Sequence, residues 1–182
     1  MRHPAAISHG LLIATTMLFW VAASAARLQA DGASAAEPAS VATVAAVPER
    51  AVLTPADLKL ADHVGKVVVL DFWASWCKPC KLSMPWLSQL QRKYAKQGLQ
   101  IVAISVDTDE KAMRSRLGEI DPGIIVVFDP KGQLAEQYKL EGMPTTYLID
   151  RAGRQVGSHV GYLEAQAAER EAEIAKLLRQ GK

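Results

Sequence analysis

The clearest pattern in the chain is an apolar run that does not alternate: Val67, Val68, Val69 and Leu70, then Asp71, Phe72, Trp73 and Ala74. Strands buried on both faces of a parallel sheet read this way, whereas half-exposed strands alternate. Val67–Trp73 is therefore a predicted central strand. A proline at 79, with no glycine before Gly98, predicts a helix over 79–97 with Pro79 at its first position and Gly98 as its stop. Pro85 falls inside it, removes one backbone hydrogen bond and predicts a kink. A second buried run covers 99–106. Asp107 and Glu110 then carry the D-x-x-E spacing of a capping box, predicting a helix to about Glu119. Residues 123–128 read as a third strand, Asp129-Pro130-Lys131-Gly132 as a turn, and 133–139 as a short helix. Thr145–Ile149 and Gln155–Val160, joined by Asp150-Arg151-Ala152-Gly153, read as a hairpin. An amphipathic helix over 163–179 closes the chain. This order predicts an α/β domain: a central mixed sheet with helices on both faces.

The beginning of the chain has a different pattern. Arg2 and His3 precede an apolar run over 11–23, and Ala23-Ser24-Ala25 offers the small residues of a signal-peptidase site. The run of about 13 residues is short against the roughly 20 needed to cross a bilayer. Residues 1–25 are thus read as an export signal. Retention as an N-terminal membrane anchor is the alternative, because Ile7 and the alanines to Ala26 lengthen the run. Residues 26–50 are alanine-rich, contain Pro38 and Pro48 and show little periodicity, which predicts a flexible linker, useful as a leash on an anchored protein. Residues 51–182 have the size of one domain with one core, and show no internal repeat. A formal net charge of +2 without a basic cluster gives no reason to invoke nucleic acid or an anionic surface.

The candidate chemistry lies where the central strand meets the first helix. Cys77 and Cys80 are the only cysteines, three apart, with Lys78 and Pro79 between them. A zinc site needs four ligands, and beyond this pair the chain offers only His3, His9, His63 and His159, with no second C-x-x-C. A purely structural disulfide normally closes a longer loop. A redox-active pair is the reading that remains, with no metal and no cofactor beyond the two thiols. A helix starting there directs unpaired N–H groups and its positive end at Cys77, favouring the thiolate. Cys77 is then the nucleophile and Cys80 the resolving partner. Lys78 adds a positive charge near Cys77, an effect that solvent screening weakens. Asp71 sits in an apolar strand, so desolvation raises its proton affinity and suits it to take the proton of Cys80. The alternative is a structural aspartate satisfied by a nearby lysine.

Asp71-Phe72-Trp73-Ala74-Ser75-Trp76-Cys77-Lys78-Pro79-Cys80-Lys81 with Pro85, followed by Gly142-Met143-Pro144-Thr145 before a strand, resembles the active-site strand, helix and cis-proline loop of the thioredoxin superfamily. The resemblance covers most of 58–178. The export signal, the lead-in Asp62-His63-Val64-Gly65-Lys66 and an extra strand–helix unit around 101–120 are similar to the TlpA/ResA type. That resemblance implies a thioredoxin fold with an extra strand–helix insertion. It also implies an exported, periplasmic thiol–disulfide oxidoreductase, soluble or tethered to the inner membrane, that reduces disulfides of protein substrates, with cytochrome c or copper-oxidase maturation as the setting of many relatives. Electrons would come from a membrane thiol donor of the DsbD or CcdA kind, since an exported reductase works in oxidising surroundings.

The resemblance further implies a substrate groove formed by Trp76, Lys78, Pro79, Met143, Pro144 and Thr145. Pro144 would be cis, with the Met143 backbone pairing with an incoming peptide as an added strand. Trp73, Phe72 and Trp86 are assigned to the core. Two positions depart from the type. A glutamate is common three residues after the second cysteine, where this chain has Ser83, and Asp71 stands where many relatives have asparagine. DsbA-type oxidases carry a large helical insertion and isomerases a dimerisation domain, neither of which has room here. The reading is a monomeric reductase. Its alternatives are a disulfide-forming oxidase and a non-catalytic chaperone holding Cu(I) through Cys77 and Cys80 with help from Met84 and Met143.

Overall fold

The strand predicted to be central lies at the middle of the sheet. The computed structural model describes residues 50–180. The export signal read over 1–25 and the linker over 26–50, Arg50 apart, lie outside the described residues. Strand β1 (Val67–Trp73) is buried at all seven positions. It pairs in parallel with β2 (Leu99–Ser105), which pairs in parallel with β3 (Ile125–Phe128). On its other side β1 is antiparallel to β4 (Thr145–Ile149), and β4 to β5 (Gln155–Val160), giving the order β3-β2-β1-β4-β5. The mixed sheet is the thioredoxin fold. Residues 101–120, where the extra strand–helix unit was expected, continue β2, form the short helix α2 (Glu110–Arg114) and lead toward β3.

The pleat divides β1 between two cores. Val67, Val69 and Trp73 face a cluster with Leu87 and Leu90 of helix α1 (Cys80–Tyr94), Met113 of α2, and Ile174 and Leu178 of α4 (Ala167–Arg179). Val68, Leu70 and Phe72 face Val102, Ile104, Tyr147 and Leu134, the last from helix α3 (Gln133–Gln137). Helices therefore cover both faces. Among the described residues no helix is long and apolar enough to cross a membrane.

Several predicted ends move for local reasons. The helix expected to reach 97 tightens into a 3-10 turn over Ala95–Gln97 and stops at Gly98, whose φ of +96° suits glycine. A Cβ there would also come within 2.9 Å of the Arg151 guanidinium. The capping box is corrected. The cap of α2 is Asp109, whose carboxylate accepts from the Lys111 N–H, and regular helix ends at Arg114. Asp107 is buried and engaged elsewhere. Helix α3 ends at Gln137, and Lys139 follows at φ +53°. The closing helix begins with a 3-10 turn over Glu164–Gln166 before α4.

Candidate active site

The C-terminal end of β1 leads through Ala74 and Ser75 to the cysteines. That loop is fixed by Asp107, which follows β2. Ser75 donates its N–H to Asp107 Oδ2 at 2.9 Å and its hydroxyl to Oδ1 at 2.7 Å, while the Ser105 hydroxyl donates to Oδ2 at 2.8 Å. The Cys77 N–H then reaches back to the Ala74 carbonyl at 3.1 Å. Pro79 already has helical angles, φ −67° and ψ −24°, and its carbonyl accepts from Leu82 and Ser83. Proline fits here because its missing N–H would have had no partner in a first helical turn.

Cys77 and Cys80 are joined as a disulfide with Cα atoms 5.3 Å apart. The Cys80 N–H, at the start of α1, donates to Cys77 Sγ at 3.2 Å. This bond and the positive end of the helix both favour negative charge on the Cys77 sulfur. In the disulfide form Cys77 is 5% exposed and Cys80 2%. Trp76 beside them is 65% exposed, and Lys78 and Pro79 also face solvent.

Asp71 lies two residues before the end of β1, on the side covered by α1 and α4, and is 0% exposed. It stands opposite Thr146 of β4, whose hydroxyl donates to Oδ1 at 2.9 Å, while Oδ2 has no hydrogen-bond partner. Burial pushes its pKa up to about 7, against the opposing pull of the Thr146 hydrogen bond and the Arg170 charge. Its one hydrogen-bond partner is thus a hydroxyl, and the charge that acts on it is a guanidinium, not a lysine.

The Met143–Pro144 bond is cis. Thr145 pairs with Phe72, which brings Pro144 level with the end of β1 and onto the side of the sheet where the cysteine loop emerges. Pro144 is buried, and its carbonyl accepts from the Gly161 N–H at 2.7 Å. The Thr145 hydroxyl donates to the Gly142 carbonyl at 2.7 Å, and half-buried Met143 packs on the cluster that includes both cysteines. All the residues named from the sequence therefore gather at one end of the sheet. The cavity beside Cys80, lined by Trp73, Met84, Lys81, Arg116 and Glu119, has a volume of about 10 Å³, room for about one water. Small-molecule sites are far larger. Among the described residues no group of three or more His, Cys, Asp or Glu side chains comes together as a metal site.

Residues 37–178 match the redoxin family. The chain belongs to that family. Within the thioredoxin superfamily this redoxin is of the TlpA/ResA type. It is 41% identical over 96 residues to the thiol-disulfide oxidoreductase ResA of Oceanobacillus iheyensis, a match covering 53% of this chain and 50% of that protein. It is 34% identical over 118 residues to ResA of Geobacillus kaustophilus, covering 65% and 68%. A crystal structure from Chlorobium tepidum, named for the thiol:disulfide interchange protein DsbE, superposes with a TM-score of 0.64 at 44% identity, over 66% of this chain and 86% of that one. The chain spans about half the length of the Oceanobacillus relative.

In the redoxin domain Ser83 is buried and its hydroxyl donates to the Cys80 carbonyl at 3.2 Å, so it closes the first turn of α1. Three residues of the constellation were not singled out from the sequence. Asp107 was read as a helix cap. Its one distinguishing sign is its place just past the C-terminal end of a buried parallel strand, where loops of α/β sites converge. Thr146 and Arg170 carry no local signal, because their importance comes from facing Asp71.

Proposed function

We propose that the redoxin domain is a thiol–disulfide oxidoreductase acting as a reductase of protein disulfides outside the cytoplasm. The observation that carries this is the Cys77–Cys80 disulfide at the start of α1, with the Cys80 amide aimed at Cys77 Sγ and a buried carboxylate on the same side of the sheet. In the reduced protein the Cys77 thiolate attacks one sulfur of a substrate disulfide. A Cys77–substrate disulfide forms, and the other substrate sulfur leaves as a thiolate that takes a proton from water. Cys80 then gives its proton to Asp71 and attacks Cys77 Sγ, forming the internal disulfide and expelling the second substrate thiolate. Two electrons have passed to the substrate. A dithiol donor restores the pair, and a membrane protein of the DsbD or CcdA kind fits an exported domain held by residues 1–50. Trp76, Lys78, Pro79, Met143, Pro144 and Thr145 form the surface that receives the substrate chain, Trp76 as an apolar wall and the Met143 backbone as a pairing edge. The names of the ResA and DsbE relatives, together with the small space beside Cys80, support a protein substrate over a metabolite. Cytochrome c or copper-oxidase maturation is the proposed setting.

The test is trapping. Cys80→Ser protein expressed in its host is expected to accumulate mixed disulfides through Cys77, whose partners name the pathway. Purified wild-type protein is expected to speed insulin-disulfide reduction by dithiothreitol. Tight stoichiometric copper binding without insulin reduction would replace the reductase with a copper chaperone.

A further inference from the structure

Arg170 is one of the few charged side chains the domain buries, at 8% exposure. A buried guanidinium is costly unless its N–H groups and its charge are both matched. Two of its donors reach neutral acceptors: Nη1 the Gly161 carbonyl at 2.8 Å, and Nη2 the Gln166 side-chain oxygen at 2.9 Å. A neutral side chain could make such bonds. The charge requires another explanation, and the one buried carboxylate it acts on is Asp71.

The connections around Arg170 form a ring. Gly161, held through its carbonyl by Arg170, donates its N–H to the Pro144 carbonyl at 2.7 Å. Two residues beyond Pro144, Thr146 donates to Asp71. Arg170 is thus linked to the cis-proline loop through Gly161, which it holds by its carbonyl, and acts on the buried carboxylate through its field. We infer that Arg170 is a positioning residue for dithiol–disulfide exchange, which keeps Asp71 able to release the proton it accepts and holds the Met143–Pro144 loop against the site. The inference rests on the reading that Asp71 takes the Cys80 proton.

Among the groups around Asp71, the Thr146 hydrogen bond opposes burial more strongly, and Arg170 is the one charge that opposes it. Strand β4 contributes the Thr146 hydroxyl, β2 places uncharged Ala103 in register, and α1 begins with Cys80. The Asp107 carboxylate past β2 is taken up by Ser75 and Ser105. On the outer side of Arg170, a shelf between β5 and α4 carries His159, Glu169, Glu173 and Lys176, with His159 and Glu173 paired at 2.7 Å.

The experiment follows breakdown of a Cys77 mixed disulfide with a cysteine-containing peptide, in single turnover, from about pH 5.5 to about pH 9. Wild type, Arg170→Gln, Arg170→Lys and Asp71→Asn full-length proteins are compared. Removing the charge is expected to move the rate midpoint up by about one unit. That takes Asp71 at pH 7 from about half ionised to about one-tenth, a roughly five-fold slower step that converges on wild type near pH 9. Arg170→Lys is expected to keep the wild-type midpoint but, in a separate steady-state assay of peptide-disulfide reduction, to raise KM, since an ammonium lacks the fork that spans Gly161 and Gln166. A carbon-13 NMR titration of Asp71 is expected to move with the rate midpoint. An Arg170→Gln profile superimposed on wild type, or lowered equally at every pH, overturns the inference. So does an Arg170→Lys midpoint displaced by a full unit, which decides the matter even if Arg170→Gln fails to fold. If Asp71→Asn itself leaves the profile unchanged, it is the base role of Asp71 that fails.

Discussion

The two sides of β1 come from one strand and differ at a single kind of position. On the α3 side Val68, Leu70 and Phe72 meet only apolar and aromatic partners, and the Phe72 ring lies 5.6 Å from Tyr138 and 5.8 Å from Tyr147. On the α1 side the alternating set is Val67, Val69, Asp71 and Trp73, so a carboxylate replaces one apolar residue. The contrast sharpens against the other buried aspartates. Asp107 accepts three hydrogen bonds, and Asp129 accepts three backbone N–H bonds at the start of α3. Those carboxylates hold loops in place. Asp71 has one hydroxyl partner and an oxygen left over. One side of the strand supplies rigidity, and the other carries a group able to change its proton.

The largest expected effect confines the chemistry to the α1 side. Cys77→Ser should abolish insulin-disulfide reduction, whereas Cys80→Ser should form the mixed disulfide and stall; faster alkylation of Cys80 than of Cys77 in the reduced protein would reverse the two roles.

Next is the linkage of Asp71 to stability. Its folded pKa of about 7 lies above the ordinary 3.8, so between roughly pH 4 and pH 7 the folded protein keeps a proton that the unfolded chain has lost. Stability should fall as pH rises through that window, by on the order of 4 kcal/mol, and level off above it. Asp71→Asn should lack this decline. Urea unfolding of both oxidised proteins at several pH values reads the difference, and a constant difference would break the contrast with the α3 side.

Leu70→Ala, one residue away on the apolar side, should cost about 3 kcal/mol at every pH while leaving the rate per folded molecule unchanged. A pH-dependent cost would show that the two sides are not independent. Asp107→Ala should cost about 2 kcal/mol by stranding the Ser75 and Ser105 donors, with a slower insulin assay because the cysteine loop loosens. The smallest effect on stability is expected from Thr146→Val, which removes one hydrogen bond worth about 1 kcal/mol and should raise the Asp71 midpoint at least as far as Arg170→Gln does, because that bond opposes burial more than the Arg170 charge.

How far the sequence reveals this depends on whether a residue's partner is near it in the chain. Strand β1 and the β4–β5 hairpin have their observed ends in the sequence pattern, because each is bounded by polar or turn residues that act locally. Cys77, Cys80 and Asp71 are legible because a reactive pair follows an apolar strand and a carboxylate interrupts it. Asp107 is misread, since its D-x-x-E spacing looks like a cap while its carboxylate reaches Ser75, 32 positions earlier. Arg170 reads as one more polar position on an amphipathic helix. Only the packing of α4 against the face of β1 that holds Asp71 buries it.

A lone pairing at the rim of the sheet bears on how the domain should be handled. Leu53 accepts from the Phe128 N–H and donates to the Val126 carbonyl, both at 2.9 Å, so it caps the outer edge of β3. Just before it, the Arg50 guanidinium holds the carbonyls of Ile120, Asp121 and Ile124. A recombinant form begun at Leu58, where the likeness to thioredoxin starts, would keep every reactive group and still strip this cover. The bared amides and carbonyls of β3 would then be a template on which neighbouring molecules stack at the concentrations of purification and storage. A shortened form should therefore begin no later than Arg50.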